Sequence, residues 1–279
     1  MSSPVKLPYF DALLNLLDRG HPAVDQAFGR HVHWGYWPDP KQADVSPKDF
    51  ALAAERLTEL VYTAAEVDDG QRILDAGCGF GGTVASLNGR FRDIDVSGLN
   101  IDRRQLRRAS ERVSAEPGNV LNWVQADACV LPFADRSFDT VLAVECIFHF
   151  PSRKRFFEEG YRVLKPGGRL ALSDFVPTPL LRPAMTVASR WPASAGFYGR
   201  CKFHSTLRDY RRLAEETGFI VRHEQDITSN TLPTYDFVRK LAKDMSVKTV
   251  SAIIETLFAE WASHLGLLRY LVLAFEKPG

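Results

Sequence analysis

The stretch Arg72-Ile-Leu-Asp-Ala-Gly-Cys-Gly-Phe-Gly-Gly82 is the part of the chain best suited to hold a reactive ligand. The apolar pair Ile73-Leu74 runs into Asp75, and glycines follow at 77, 79, 81 and 82. Residues without a Cβ let a ligand come against the backbone. A helical pattern begins at Thr83, and the free N–H groups of a first helical turn attract polar and negative groups. A buried strand, a tight turn and a helix start, in that order, predict a nucleotide-like cofactor at the turn. The glycines fit both G-x-G-x-x-G (77, 79, 82) and G-x-G-x-G (77, 79, 81), so their spacing alone does not name the cofactor.

The elements that must position this turn follow from periodicity. Strands are predicted near 72–76, 94–99, 120–126, 138–145, 168–175, 219–225 and 268–276. Helices are predicted near 82–90, 102–115, 152–164 and 206–217. This alternation implies an α/β fold: a Rossmann-like, mostly parallel seven-stranded sheet with helices on both faces. Ligands in such sheets bind at the carboxyl ends of strands, near the switch in strand order.

Before the alternation come a short amphipathic helix at 9–18 and a helix at 47–65. In the second, Ser46 is the N-cap and Pro47 the first helical residue. Residues 21–46 between them read as a loop dense in His, Trp and Pro. The chain therefore divides into N-terminal helices with an aromatic loop (1–66) and a cofactor-binding domain (67–279). Two segments break the alternation and are expected to form an inserted helical lid. They are 176–205, with Trp191, Phe197 and Tyr198, and 228–266, with helices near 235–243 and 247–264.

Bulk composition narrows the setting. The chain has 279 residues, 45% hydrophobic and 25% charged, which suits a soluble globular protein with a sizeable core. A net charge of +1 gives no electrostatic reason to capture nucleic acid or an anionic membrane. No apolar run approaches the ~20 residues of a membrane span, and the first residues, MSSPVKLPYF, do not resemble a signal peptide. Cysteines 78, 129, 146 and 201 show neither zinc-type spacing nor pairing, so a reduced, cytoplasmic setting is expected. His21, His31 and His223 have no spacing that implies a metal, and none is predicted.

A dinucleotide site expects an acid at the tip of the second strand, about 20 residues beyond the glycines. That strand instead ends Gly98-Leu99-Asn100-Ile101. Asn100 can still hydrogen-bond a ribose through its amide. The dinucleotide reading is weakened, and a nicotinamide-dependent oxidoreductase stays as an alternative.

Four stretches together resemble the class I S-adenosylmethionine (SAM) dependent methyltransferases. The likeness is to the small-molecule group with ubiquinone/menaquinone, tocopherol and antibiotic-sugar enzymes. The stretches are Ile73-Leu-Asp-Ala-Gly-Cys-Gly-Phe-Gly81, Gln125-Ala-Asp-Ala128, Phe138 to Phe150, and Leu164-Lys-Pro-Gly-Gly-Arg-Leu-Ala-Leu-Ser-Asp174. The resemblance implies that Asp75 meets the amino-acid end of SAM, with Gly77 and Gly79 in backbone contact. It implies Asn100 and Gln105 at the ribose, Asp127 and Ala128 at the adenine, and Glu145 facing the cofactor. His33-Trp-Gly-Tyr-Trp37 resembles a loop of this subgroup, which implies that Tyr36 and Trp37 cover the methionine part, where aromatic faces suit a sulfonium.

Methyl transfer is an in-line displacement at carbon, and a hydroxyl nucleophile needs a base within hydrogen-bond reach. His149 follows the fourth strand, and its ordinary pKa of ~6.5 suits proton abstraction. Asp174 lies in the fifth strand, and in the resembling sugar enzymes a histidine and an aspartate from these two regions serve as base or anchor. Both are candidate catalytic residues. Arg182, Arg190, Arg200 and Lys202 near the lid read chiefly as a solvated face. The expected activity is O-methylation of a small, partly apolar secondary metabolite, with S-adenosylhomocysteine as product. C- or N-methylation and a non-methylating SAM-binding or cyclase relative are the alternatives. The expected partner is a small-molecule acceptor, with no nucleic acid and no integral membrane; a homodimer is compatible with the sequence.

Overall fold

The computed structural model describes residues 8–190, 201–244 and 250–279. Among these, seven strands form one sheet: β1 (Arg72–Ala76), β2 (Asp95–Asn100), β3 (Val120–Gln125), β4 (Phe138–Val144), β5 (Leu164–Pro177), β6 (Ile220–Asp226) and β7 (Leu268–Glu276). Their order is β3-β2-β1-β4-β5-β7-β6, and only β7 runs antiparallel to its neighbours. The chain steps outward from β1 to β3, then returns to lay β4 beside β1. That reversal opens a crevice at the carboxyl ends of β1 and β4.

Each central strand is apolar on both faces, as a doubly covered sheet requires. Leu74, Val141, Leu170, Leu172 and Phe275 face α6 (Arg153–Val163) and α8 (Leu207–Thr217), meeting Phe156, Phe157 and Tyr210. Ile73, Val96, Leu142, Ala171 and Val272 face α3 (Pro47–Ala64) and α4 (Gly82–Arg90), meeting Leu57, Val61, Val84 and Leu87. Helix α3 thus shares the core of the sheet with the cofactor-binding half of the chain. Its start is fixed as expected: Ser46 Oγ accepts from Asp49 N at 3.1 Å, and Pro47 follows the cap. A full capping box between Thr206 and Asp209 starts α8.

The N-terminal region is more ordered than a loop reading allows. Besides α1 (Pro8–Asp18) it holds α2 (Pro22–Phe28), which opens on Pro22. The remaining helices are α5 (Arg103–Arg112), α7 (Arg182–Arg190), α9 (Thr228–Thr231), α10 (Pro233–Asp244) and α11 (Val250–His264). Trp191, Phe197, Tyr198 and Arg200 lie outside the described residues. The second insertion is sealed against the N-terminal segment. Phe237 of α10 stacks on Phe50 at 4.2 Å, and Tyr235 meets Trp34 edge-on at 4.3 Å between centroids.

Phe157 is fully buried among Tyr210, Phe219 and Phe275. Phe157→Ala should therefore lower the unfolding free energy by ~3–5 kcal/mol, read as a fall in the urea midpoint at unchanged slope.

Candidate cofactor cleft and active site

The glycine turn leaves β1 with Gly77, Gly79 and Gly81 in the left-handed region, at φ of 90°, 53° and 81°. Gly77 N and Cys78 N both donate to Leu99 O, at 2.8 and 3.0 Å, which ties the turn to the tip of β2. A Cβ on Gly77 would lie 2.7 Å from Cys146 Sγ, whereas one on Gly79 would meet nothing within 4 Å. The first glycine admits the neighbouring strand; the second leaves its backbone open to a ligand.

The cleft above the turn opens to solvent at its mouth. Gly77, Gly79, Asn100, Gln105, Asp127, Ala128, Glu145 and His149, all expected from the sequence, line it together. Asn100 is pre-oriented: its Oδ1 accepts from Asp102 N at 2.9 Å, and its Nδ2 donates to Gln105 Oε1 at 3.1 Å. Asp127 Oδ1 accepts from Cys129 N at 2.8 Å, so the carboxylate is held by one oxygen. Glu145 follows β4 with a left-handed φ of 47°. Its Oε2 accepts from Trp34 N at 3.0 Å and from the Tyr270 hydroxyl. Burial pushes its carboxyl up to about 8, against those two hydrogen bonds.

Asp75 stands behind the turn, fully buried and absent from the cleft wall. Its Oδ2 has no protein partner among the described residues, and burial raises its pKa to about 7. An orphaned carboxylate oxygen beside an open glycine backbone fits a cofactor with a cationic amino-acid end. The donor and acceptor pair at the β2 tip fits a ribose, and Asp127 with Ala128 fits an adenine edge. SAM therefore suits the residues present.

Four expected site residues are not brought to the cleft wall: Asp75, which stands behind the turn, and Trp37, Tyr36 and Asp174. Trp37 is buried among Ala27, Phe50, Ala53 and Phe237, and its Nε1 donates to Asp49 Oδ2 at 2.9 Å. It anchors the N-terminal segment instead of covering a ligand. Tyr36 is half-buried against the core, with its N donating to Ala53 O at 2.8 Å. Asp174 points, like Leu172 and Val176, to the α6 and α8 face of β5. There its Oδ2 accepts from Arg153 Nη2 at 2.8 Å and from the Tyr210 hydroxyl at 2.5 Å. The alternation of a strand places it as a buried counter-ion, not as a base open to an acceptor. The described parts of the two insertions also add nothing to the cleft wall. Lys202 caps Pro151 O, and Arg182 lies 3.6 Å from Asp209.

The wall comes instead from the N-terminus, through Tyr9, Phe10 and residues 30–33. Phe10 packs edge-on to Phe80 of the turn, and Asp11 pairs with Arg104 at 2.7 Å, so α1 is fastened to the glycine turn and to α5. His31 and His33 are buried. His31 Nε2 lies 2.7 Å from Glu55 Oε2, and His33 Nε2 lies 3.0 Å from Thr58 Oγ1 and 3.1 Å from His31 Nδ1. The strap 30–34 is thereby tied to α3 on one side and, through Trp34, to Glu145 on the other. The spacing His-x-His was visible in the sequence, but without a partner for either ring. Tyr9 carried no signal beyond an aromatic position in an amphipathic helix.

His149 lies in a short 3-10 turn after β4, with Nε2 3.3 Å from the Tyr9 hydroxyl and Nδ1 3.9 Å from Cys201 Sγ. Burial, and then the positive charge of Arg153, push its pKa down to about 4. It is neutral at physiological pH and keeps a lone pair. Among the described residues no cluster of His, Cys, Asp or Glu is arranged to hold a metal ion, and no helix is long and apolar enough to cross a membrane.

Asp174→Ala would leave the Arg153 guanidinium buried without its carboxylate. The expected loss is ~3–5 kcal/mol of stability, measured by urea unfolding.

Residues 74–172 match the family model described as "Methyltransferase domain". The methyltransferase GfsG of Streptomyces halstedii is 37% identical over 224 residues, covering 78% of this chain and 76% of that protein. The 27-O-demethylrifamycin SV methyltransferase of Amycolatopsis mediterranei is 33% identical over 226 residues, covering 79% of each. Among solved structures, geranyl diphosphate C-methyltransferase from Streptomyces coelicolor, in complex with Mg2+, geranyl diphosphate and S-adenosylhomocysteine, superimposes with a TM-score of 0.71 at 20% identity, covering 99% of this chain and 100% of that one. The glycine turn, the cleft at the β1–β4 reversal and this likeness over most of the chain agree: the protein belongs to the class I SAM-dependent methyltransferases.

Proposed function

We propose that the protein O-methylates a hydroxyl of a small, partly apolar secondary metabolite, with His149 accepting the hydroxyl proton. One observation carries this reading: His149 lies in the same cleft as the residues suited to SAM. The relatives named above support methyl transfer, and the second is named for a rifamycin acceptor that lacks a methyl on an oxygen. No two of the four cysteines are joined in a disulfide among the described residues, which supports a cytoplasmic setting.

When bound, SAM supplies an electrophilic methyl carbon on a sulfonium. Gly77 and Gly79 would hold its methionine backbone, with Asp75 behind them as charge partner. Asn100 and Gln105 would bond the ribose, and Asp127 and Ala128 the adenine edge. Glu145 would face the cationic end, where a nearby positive charge favours its ionised form. Alignment and exclusion of water by α1 and the strap provide the rate enhancement that positioning gives, and His149 takes the proton.

Recombinant protein incubated with SAM and a panel of hydroxylated polyketides, 27-O-demethylrifamycin SV among them, tests the function. S-adenosylhomocysteine release with a product heavier by one CH2 is expected. Binding of NAD in place of SAM by calorimetry would refute it.

His149→Ala should lower kcat by ~100-fold while the Kd for SAM stays within two-fold. The base form of His149 is neutral, so its limb in the rate profile is lost only as pH falls through about 4. Activity governed by this group should stay flat from pH 5 to 8, and an acid limb near its ordinary value of ~6.5 would contradict the assignment. Because Glu145 is largely protonated at pH 7, SAM binding should release protons. The calorimetric enthalpy should then differ between buffers of unequal ionisation enthalpy.

A further inference from the structure

His149 has two ring nitrogens, and both already face a side chain. Nδ1 looks toward Cys201 Sγ at 3.9 Å, a long contact to a thiol whose pKa burial drives upward. Nε2 faces the Tyr9 hydroxyl at 3.3 Å, with the two rings inclined by only 19°. Tyr9 and His149 both line the cleft. A neutral imidazole offers one lone pair. The phenol oxygen stands at Nε2 on the wall of the cleft, which gives a proton from the cleft a route to that lone pair. The helix of Tyr9 is held by Phe10 against Phe80 and by Asp11 against Arg104.

We propose that Tyr9 is a catalytic residue: its hydroxyl contacts the acceptor hydroxyl and relays the proton to His149 Nε2. This rests on the reading of His149 as the base. As the acceptor oxygen takes the methyl group, its O–H bond breaks and the proton passes to the Tyr9 oxygen. The proton already on Tyr9 passes to His149 Nε2. Tyr9 ends neutral, His149 ends as an imidazolium, and the imidazolium then loses its extra proton to water. The positive charge that entered on the sulfonium leaves as that proton, so charge and atoms balance. A hydroxyl is suited to this role because it donates and accepts at the same atom. The carboxylate of Asp174, turned to the other face of the sheet, is not.

The relay requires that His149 carry its proton on Nδ1 and that Nε2 be an unprotonated, hydrogen-bonded nitrogen. Imidazole 15N NMR on the full chain saturated with SAM reads this directly and needs no acceptor. The parent protein should show a bonded, pyridine-type Nε2. In Tyr9→Phe that resonance should move to the position of an unbonded nitrogen, and the His149 titration midpoint should rise, because the donor that favoured the neutral ring is gone. A proton on Nε2 in the parent, or an unchanged spectrum in Tyr9→Phe, overturns the relay. With the alcohol that gives turnover in the panel, Tyr9→Phe should lower kcat by ~100-fold at an unchanged Kd for SAM, and the double variant with His149→Ala should be no slower than the worse single variant. If His149→Ala is slow and Tyr9→Phe is not, the relay fails and the base stands. If neither is slow, the base reading itself has failed.

Discussion

Two pieces of backbone come unusually close at the edge of the cleft, and the site depends on it. A Cβ on residue 82 would lie 2.4 Å from His31 Nδ1 and 2.7 Å from Arg30 O. Because residue 82 is glycine, the strap 30–34 can lie directly on the first turn of α4. From there Trp34 N reaches Glu145 at the tip of β4. The strap bridges the two strand ends between which the crevice opens, and it does so from a region far away in sequence. Without that approach the cleft would lose the part of its wall that residues 30–33 supply.

Buried charge shapes the chemistry on the other side. Arg153, Asp174 and Tyr210 form a hydrogen-bonded set on the α6 and α8 face of the sheet, through Asp174 Oδ2. A buried pair of this kind adds little net stability, but removing one partner is costly. The same guanidinium lowers the proton affinity of His149. Burial, with that charge in addition, keeps the ring neutral and its lone pair free near pH 7. Asp174 is the buried counter-ion of that guanidinium.

Much of this could be read along the chain. The seven strands, the glycine turn and the helix starts at Ser46 and Thr206 depend on periodicity and capping, which are local. The residues lining the floor of the cleft follow the strand ends, so placing the strands placed Asn100, Asp127 and Glu145 too. Helix α2 escaped because its seven residues are too few for a period to show against the surrounding prolines and aromatics. Trp37 was misassigned because an aromatic beside His and Gly looks the same whether it covers a ligand or fills a core.

The sequence by itself determined the alternating α/β pattern, the family likeness and the floor of the cleft, because each rests on local patterns repeated in order along the chain. Tertiary structure decided which side chains close that cleft. Tyr9 meets His149 across 140 positions, and Trp34 meets Glu145 across 111. No local pattern encodes contacts of that range. They arise from the packing of α1 and the strap on the glycine turn, where a missing Cβ at residue 82 allows the approach.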